Sequence, residues 1–505
     1  MANRFCKAKL PICITYNETE REEIVVFEKS IVNQKLVVQP VFISLVHINA
    51  FMGPCRYGIG EELTYDYEMK QAQKTFKVFK DDCDQYLDRN YVEVLEPKFL
   101  EWHEDFAVKE DVLNEVTKED YKTDVYLISG TRLLAYVSTV LAKKVRKPLL
   151  FVPLSNALYS RTGGYDASAH LTALHDGFET FNALDYDDLN KYFRILRARK
   201  VIKNMKIMYG LRNNVLSFGC VSSFINLQDV TDRFGTEIKN YNAREILTVM
   251  DELTDEEIAE AQEVADGLVR DANGVHLPAE TIINDVKYWR AVRKVMDAYD
   301  CNAFTQPCFE MCATMELNRR HLTFCLTHCL NKDDGIPSAC ASDINSVICY
   351  AIIMAIARKA PYMGNTMVRL EDKTHHSCRI LHDMCSKKMK GFDEPDLPID
   401  YVAFAKGNWG TTMRYDWALD KGQDITLINI STDMRKLLII RAKISGCDDF
   451  LTQECKEALV FDVADNRDLH KKIVDFGHHC CVVYGDYTDD FSAFAELMGM
   501  EVVLV

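Results

Sequence analysis

The sequence predicts an α/β protein of about three domains, since domains average about 150 residues and the chain has 505. Three observations carry that reading. The first third alternates strand-like and helix-like segments, as parallel βαβ units do. The middle repeats the alternation with capped helices. From about Pro361, short alternating runs read instead as antiparallel strands.

The first unit is clearest from Asp124. DVYLISG reads as a strand, TRLLAYVSTVLAKKV as an amphipathic helix and KPLLFVPL as a second strand, a span that favours parallel neighbours joined by a right-handed crossover. Gly130-Thr131 opens the helix, either as an ordinary cap or as a cradle for an anion or sugar hydroxyl. The glycine loop Ser160 to Asp166 follows the second strand, where open α/β sheets gather ligands. A basic helical stretch from Leu189 reads as a bridge between domains.

Next come a strand (KIMYG), a short helix ended by Gly235 and a strand (TEIKNY). A helix follows from Thr254, with Glu257 completing a capping box. INDVKYWRAVRKVMDAY reads as an amphipathic helix, NAFTQPCF as a strand and NSVICYAIIMAIARK as an apolar helix. DITLINIS and KLLIIRAKISG alternate as antiparallel strands do. HCCVVYGD, the helix DDFSAFAELMG and EVVLV close the chain.

Composition bounds the function. With 48% hydrophobic and 27% charged residues, 22 Gly and 12 Pro, the chain reads as soluble and globular, neither collagen-like nor of low complexity. No apolar run approaches the length of about 18 residues that a membrane helix needs. The N-terminal MANRFCKAKLPICITYNE lacks a signal-peptide core, so a cytoplasmic protein is expected. A net charge of −16 opposes nonspecific contact with nucleic acid or anionic membrane. The 18 cysteines are expected as reduced thiols that fill core space, because Cys308/Cys312, Cys325/Cys329 and Cys480-Cys481 lack zinc or iron–sulfur spacing.

Residues able to carry chemistry cluster late in the chain. Asp343 precedes an apolar helix and fits either an N-cap or a site acid. Asn365 follows a glycine and fits a turn as well as a ligand. His382 lies in an apolar stretch, where a core role is the plain alternative. His478-His479 stand before a buried strand, and neutral imidazoles there can bind a divalent ion.

The segments GIPSACASD, PYMGNTMV, CRILHDMCSKKMKG, FGHHCCVVYGD and EVVLV, with KIMYG and VSSFINLQDVTDRFGTEI earlier, resemble the L-fucose/L-arabinose isomerase family, closest to its bacterial L-fucose isomerase-like sugar isomerases. The likeness is patchy over about two-thirds of the chain and strongest after Cys308. It implies two Rossmann-like α/β domains, at 1–180 and 181–355, and a mostly antiparallel β-barrel domain at 356–505. It also implies a homotrimer or homohexamer whose active sites are completed between subunits.

The resemblance further implies a divalent ion, Mn²⁺ above all, that grips two sugar oxygens while a carboxylate moves a proton between C1 and C2 through a cis-enediol. Its C-terminal metal ligand falls on His479, and the arabinose-branch histidine on His382. The family's Cys-Glu-x-Asp motif reads Cys340-Ala341-Ser342-Asp343 here, so its glutamate is missing. The second carboxylate falls near Gly364-Asn365, again without a charge, and the interval of 24 residues from Ala341 to Asn365 fits the fucose branch. Asp343 is then expected as ligand or base, Asn365 as a neutral ligand, and Glu310 or Glu371-Asp372 as the replacement acid. His478, Lys406, Trp409 and Arg414 are the expected substrate-side residues, with exposed rim positions as the alternative for the last three. Three functions remain open: an aldose–ketose isomerase, a repurposed epimerase or lyase on a sugar-like substrate, and a non-catalytic sugar-binding or assembly protein.

Overall fold

In a computed structural model, residues 29–47, 64–103, 108–130, 134–158, 165–211, 224, 226–404, 409–449 and 457–505 are described. The chain forms two compact units. One is Asn33–Arg197, and the other runs from Ala198 to Val505 together with the segment ending at Val32. Parallel sheets flanked by helices account for much of both units, and a separate antiparallel sheet belongs to the second.

In the unit Asn33–Arg197, β1 (Leu36–Leu45) lies at the centre of a parallel sheet. It pairs with β2 (Val92–Val94), β3 (Lys98–Trp102) and β4 (Val125–Gly130), and the sheet continues through β5 (Leu149–Phe151) to β6 (Thr180–Asn182). The apolar run of β4 is buried because a parallel strand is covered on both faces. Tyr126, Ile128, Leu149 and Phe151 share a core with Val41, Ile43 and Trp102, closed by Val137 and Leu141 of the helix Leu134–Val145. This is the expected strand–helix–strand unit. Thr131 and residues 160–164 of the glycine loop lie outside the described residues.

The second unit starts its sheet with β7 (Lys206–Leu211) and β8 (Glu237–Asn242). A strand β9 (Gly274–His276) joins a small separate sheet with β14 (Asp400–Ala403) and β15 (Thr411–Arg414). The parallel sheet is completed by β10 (Ala303–Thr305) and β11 (Ser338–Ala339), in the order β11-β10-β7-β8. Sequence-predicted caps form as read: Thr254 and Glu257 make a reciprocal capping box, and Gly235 ends its helix at φ +77°. The strand expected over NAFTQPCF is shorter. It stops at Thr305, and Cys308–Ala313 is helical. Pro307 explains the break, since it has no N–H for a sheet ladder and is pre-set for a helix start.

The antiparallel sheet comprises β12 (Tyr362–Val368), β13 (Ser377–Leu381), β16 (Asp424–Ile430), β17 (Lys436–Asp449), β18 (Glu457–Asp462) and β19 (His479–Tyr484). Pairings run β16–β19–β12–β13–β18–β17, and β17 pairs back with β16; β20 (Glu501–Leu504) adds to β17 in parallel. The helix Ile344–Ala357 packs against β10 and β11 on one side and against β16 and β19 on the other. All 14 of its residues are buried, which is why its sequence is apolar all round rather than striped. β16 is buried at every position from Ile425 to Ile430, so the alternation expected there is absent from its burial. Among the described residues, no helix is long and apolar enough to cross a membrane. The 13 described cysteines carry free thiols, and 10 of them are buried.

Candidate functional site

The loop from Cys340 to Asp343 leaves the carboxyl end of β11, the edge of an α/β sheet where ligands gather. Ala341 and Ser342 both adopt left-handed backbone, at φ +61° and +55°. Each is strained there, because a Cβ crowds its own carbonyl in that region. The strain is held by two backbone bonds: Ser342 N–H donates to Gln306 O at 2.8 Å, and Asp343 N–H to Cys340 O at 3.1 Å. The result turns the chain sharply into the helix Ile344–Ala357.

Asp343 is the N-cap of that helix and a site residue at once. Its carboxylate accepts from Ser346 N–H at 3.3 Å and Ser346 Oγ–H at 2.7 Å. It also meets His479 Nδ1 at 2.8 Å. Both side chains are buried, at 0% and 5% exposure. Burial is the largest influence on the Asp343 pKa and pushes it up. The hydrogen bond and charge of His479, with the Ser346 bonds, outweigh it and leave the carboxyl below its ordinary value.

Two more imidazoles complete the cluster. The His478 ring lies edge-on to His479 with centroids 4.4 Å apart, and His382 likewise at 5.9 Å. Burial, followed by the neighbouring charge of His479, lowers His382 to about 3 and His478 to about 4. Lys332 adds to the lowering at His382. The His382 backbone is pinned by Tyr362, whose hydroxyl donates to His382 O at 2.6 Å and accepts from His382 N–H at 2.9 Å.

Sheet register brings Asn365 in. It stands directly opposite His479 across β12–β19 and opposite Leu381 across β12–β13, and residues directly opposite share a face. Asp343, His479, His382, His478 and Asn365, far apart in sequence, therefore converge on one region. Glu310 sits half-buried on the short helix Cys308–Ala313 rather than at a strand end. Glu371 is exposed and bonded to Arg369 and Arg379, and Asp372 closes a turn on Thr374, His376 and Ser377. Both belong to the β12–β13 hairpin turn, where arginines and turn amides engage their carboxylates. Trp409 is half-buried with its carbonyl on Asn318, and Arg414 lies on β15 opposite Asp400. Lys406 lies outside the described residues.

The acids that the resemblance implies for a divalent cation are fewer in this chain. Ala341 has no ligating atom, and Asn365 is neutral. The Asp343 oxygens accept from Ser346 and meet His479 Nδ1, which leaves Nε2 as the nitrogen of that ring able to ligate. Among the described residues, no group of three or more His, Cys, Asp or Glu side chains is arranged to hold a metal ion. What the arrangement offers is proton transfer, because a buried carboxylate fixes the tautomer and orientation of one imidazole.

Sequence reasoning passed over two buried residues of this region. Lys332 is fully buried and donates from Nζ to Pro361 O at 3.1 Å and to Met384 O, pinning the chain before β12 and just after His382. His328, one helical turn earlier, is also fully buried. Their spacing of four residues, which places both on one helix face, was the available signal. Compared with known proteins, the chain matches no family model and no curated protein.

Proposed function

We propose that the chain is a sugar isomerase-like enzyme that interconverts an aldose and a ketose through a cis-enediol. The observation that carries this reading is the buried Asp343–His479 pair at 2.8 Å with two further imidazoles against it. With Nδ1–H directed to the carboxylate, the Nε2 of His479 carries the lone pair and acts as the base. It takes the proton from C2 of the aldose while the C1 carbonyl oxygen gains a proton, giving the enediol. Return of the carbon-bound proton to C1 and loss of the O2 proton give the ketose. His382 and His478 stay neutral near pH 7, so each can present an N–H to an oxygen without competing as a charged group.

In the same reading, the ring of pairings β16–β19–β12–β13–β18–β17–β16 is a barrel, the two parallel sheets are Rossmann-like layers, and the protein is a cytoplasmic homotrimer or homohexamer. A second reading is favoured by Ala341. The family's acid is replaced there by a methyl group on strained backbone, as expected of a site turned to epimerase or lyase chemistry, or to sugar binding without turnover.

The test is a screen of pentoses, hexoses and deoxysugars in D₂O, followed by proton NMR. The expected result is an isomerised product carrying solvent deuterium, with turnover lowered about 10²–10⁴-fold by His479→Gln. No product and no exchange on any sugar would remove the isomerase reading. Exchange with inverted stereochemistry, or a cleaved product, would establish the second.

A further inference from the structure

Close to the Asp343–His479 pair, the ladder between β16 and β19 stops short. It runs from Ile425 opposite Tyr484 to Ile428 opposite Cys481, although β16 continues to Ile430 against β17 and β19 reaches His479 against β12. Two residues further in the same register, Ile430 would stand opposite His479. Ser431 N–H donates to Lys436 O on the β17 side, so the main-chain groups of Ile430, one residue earlier, point the other way, toward β19. They meet a side chain instead. Asn345 Nδ2–H donates to Ile430 O at 2.5 Å, and Ile430 N–H donates to Asn345 Oδ1 at 3.3 Å. Both residues are buried.

A side-chain amide offers an N–H donor and a carbonyl acceptor, as a peptide group does, and only this orientation meets both groups of Ile430. The Asn345 amide therefore stands in for the stretch of strand that β19 does not supply there. It lies in the first turn of the helix Ile344–Ala357, two residues beyond the N-cap Asp343. A second asparagine extends the tie. Asn429 Nδ2–H donates to Phe476 O at 2.9 Å, just before Gly477, and Thr366 N–H donates to His478 O at 2.7 Å. The contacts close a ring: from Asp343 to His479, back along the chain to Phe476, across to Asn429 and Ile430, and through Asn345 to the helix that starts at Asp343.

We propose, resting on the reading of Asp343–His479 as the pair that moves the proton, that Asn345 is its positioning residue: the amide locks the first turn of the helix to the end of β16 and so holds the carboxylate at bonding distance from the imidazole. The chemistry of the contact calls for an asparagine. An aspartate would set a second oxygen against Ile430 O. An alanine would leave two buried main-chain groups unmet and the helix start free to shift against β19. A misplacement of about 1 Å can cost about 10²-fold in rate, so Asn345 acts on the reaction through Asp343.

The test compares the whole protein with Asn345→Ala and Asn345→Asp by proton NMR and steady-state kinetics. The His479 Nδ1–H, held by a buried carboxylate, is expected as a far-downfield resonance that His479→Gln removes. In both Asn345 variants it is expected to move upfield or vanish, with kcat lowered about 10²-fold and KM changed less than about 3-fold. An amide with a purely structural part would lower the melting temperature and leave the resonance in place; an unmoved resonance in either folded variant overturns the proposal. So does its absence from the unaltered protein. Should neither variant fold, hydrogen exchange in the unaltered protein decides: Ile430 N–H is expected to exchange slowly, and fast exchange overturns the proposal. If no sugar is turned over, the isomerase reading falls while the NMR comparison still judges Asn345.

Discussion

Asp343 is held by three demands at once: it caps a helix, it orients His479, and it follows two residues in left-handed backbone. Ala341 occupies the first of those at φ +61°, a region that glycine enters at no steric cost. Ala341→Gly is therefore expected to raise stability by about 1 kcal/mol, read from the midpoint of urea unfolding. A lower midpoint would mean that the alanine methyl packs more favourably than its backbone is strained. The two lowered histidines set a pH dependence. Folded, His478 and His382 stay neutral down to about 4 and about 3, whereas an unfolded histidine protonates near 6.5. Between those values the unfolded chain binds more protons. Stability is accordingly expected to fall as pH drops from about 6.5 toward about 4 and, for these groups, to stay level above 6.5. Asp343, held below its ordinary value, adds a loss of the same sign only below about pH 4. The double variant His382→Gln/His478→Gln should flatten the slope between about pH 4 and 6.5; an unchanged slope would locate it elsewhere.

At the scale of elements, the site depends on strands meeting without intervening side chains. A Cβ on Gly364 would lie 2.6 Å from Leu381 O and 2.7 Å from its carbonyl carbon, so β12 and β13 approach closely just where Asn365 and His382 are placed. Gly364→Ala is expected to cost about 1–3 kcal/mol and to disturb the histidine cluster, which the loss of hydrogen-exchange protection in β12 and β13 would report. Local rules made several elements legible in advance: the capping box at Thr254, the αL glycine at 235 and the helix from Ile344 all follow from side-chain hydrogen bonding and backbone freedom. The strand expected through Cys308 was not legible, because its apolar residues masked Pro307. The alternation expected in β16 also failed, since burial on two faces is set by what packs above and below.

At the scale of the whole molecule, the unit Asn33–Arg197 has its own parallel sheet and its own core around Tyr126, Ile128 and Phe151. A fragment of residues 33–197 is expected to unfold cooperatively by itself, with a sharp thermal transition in circular dichroism. A broad, non-cooperative melt would show that its core needs the rest of the chain. What the sequence by itself determined was the alternating α/β order, the antiparallel character of the last third, the caps, and the residue types at which chemistry could occur. Those follow from periodicity and from side-chain hydrogen bonding within a few residues. Only the tertiary structure decided that Asp343 and His479, 136 residues apart, touch, that Asn365 stands opposite His479, and that Glu371 and Asp372 are used up in a hairpin turn. Such contacts depend on strand register and on helices packed between two sheets, long-range choices that no short stretch of sequence contains.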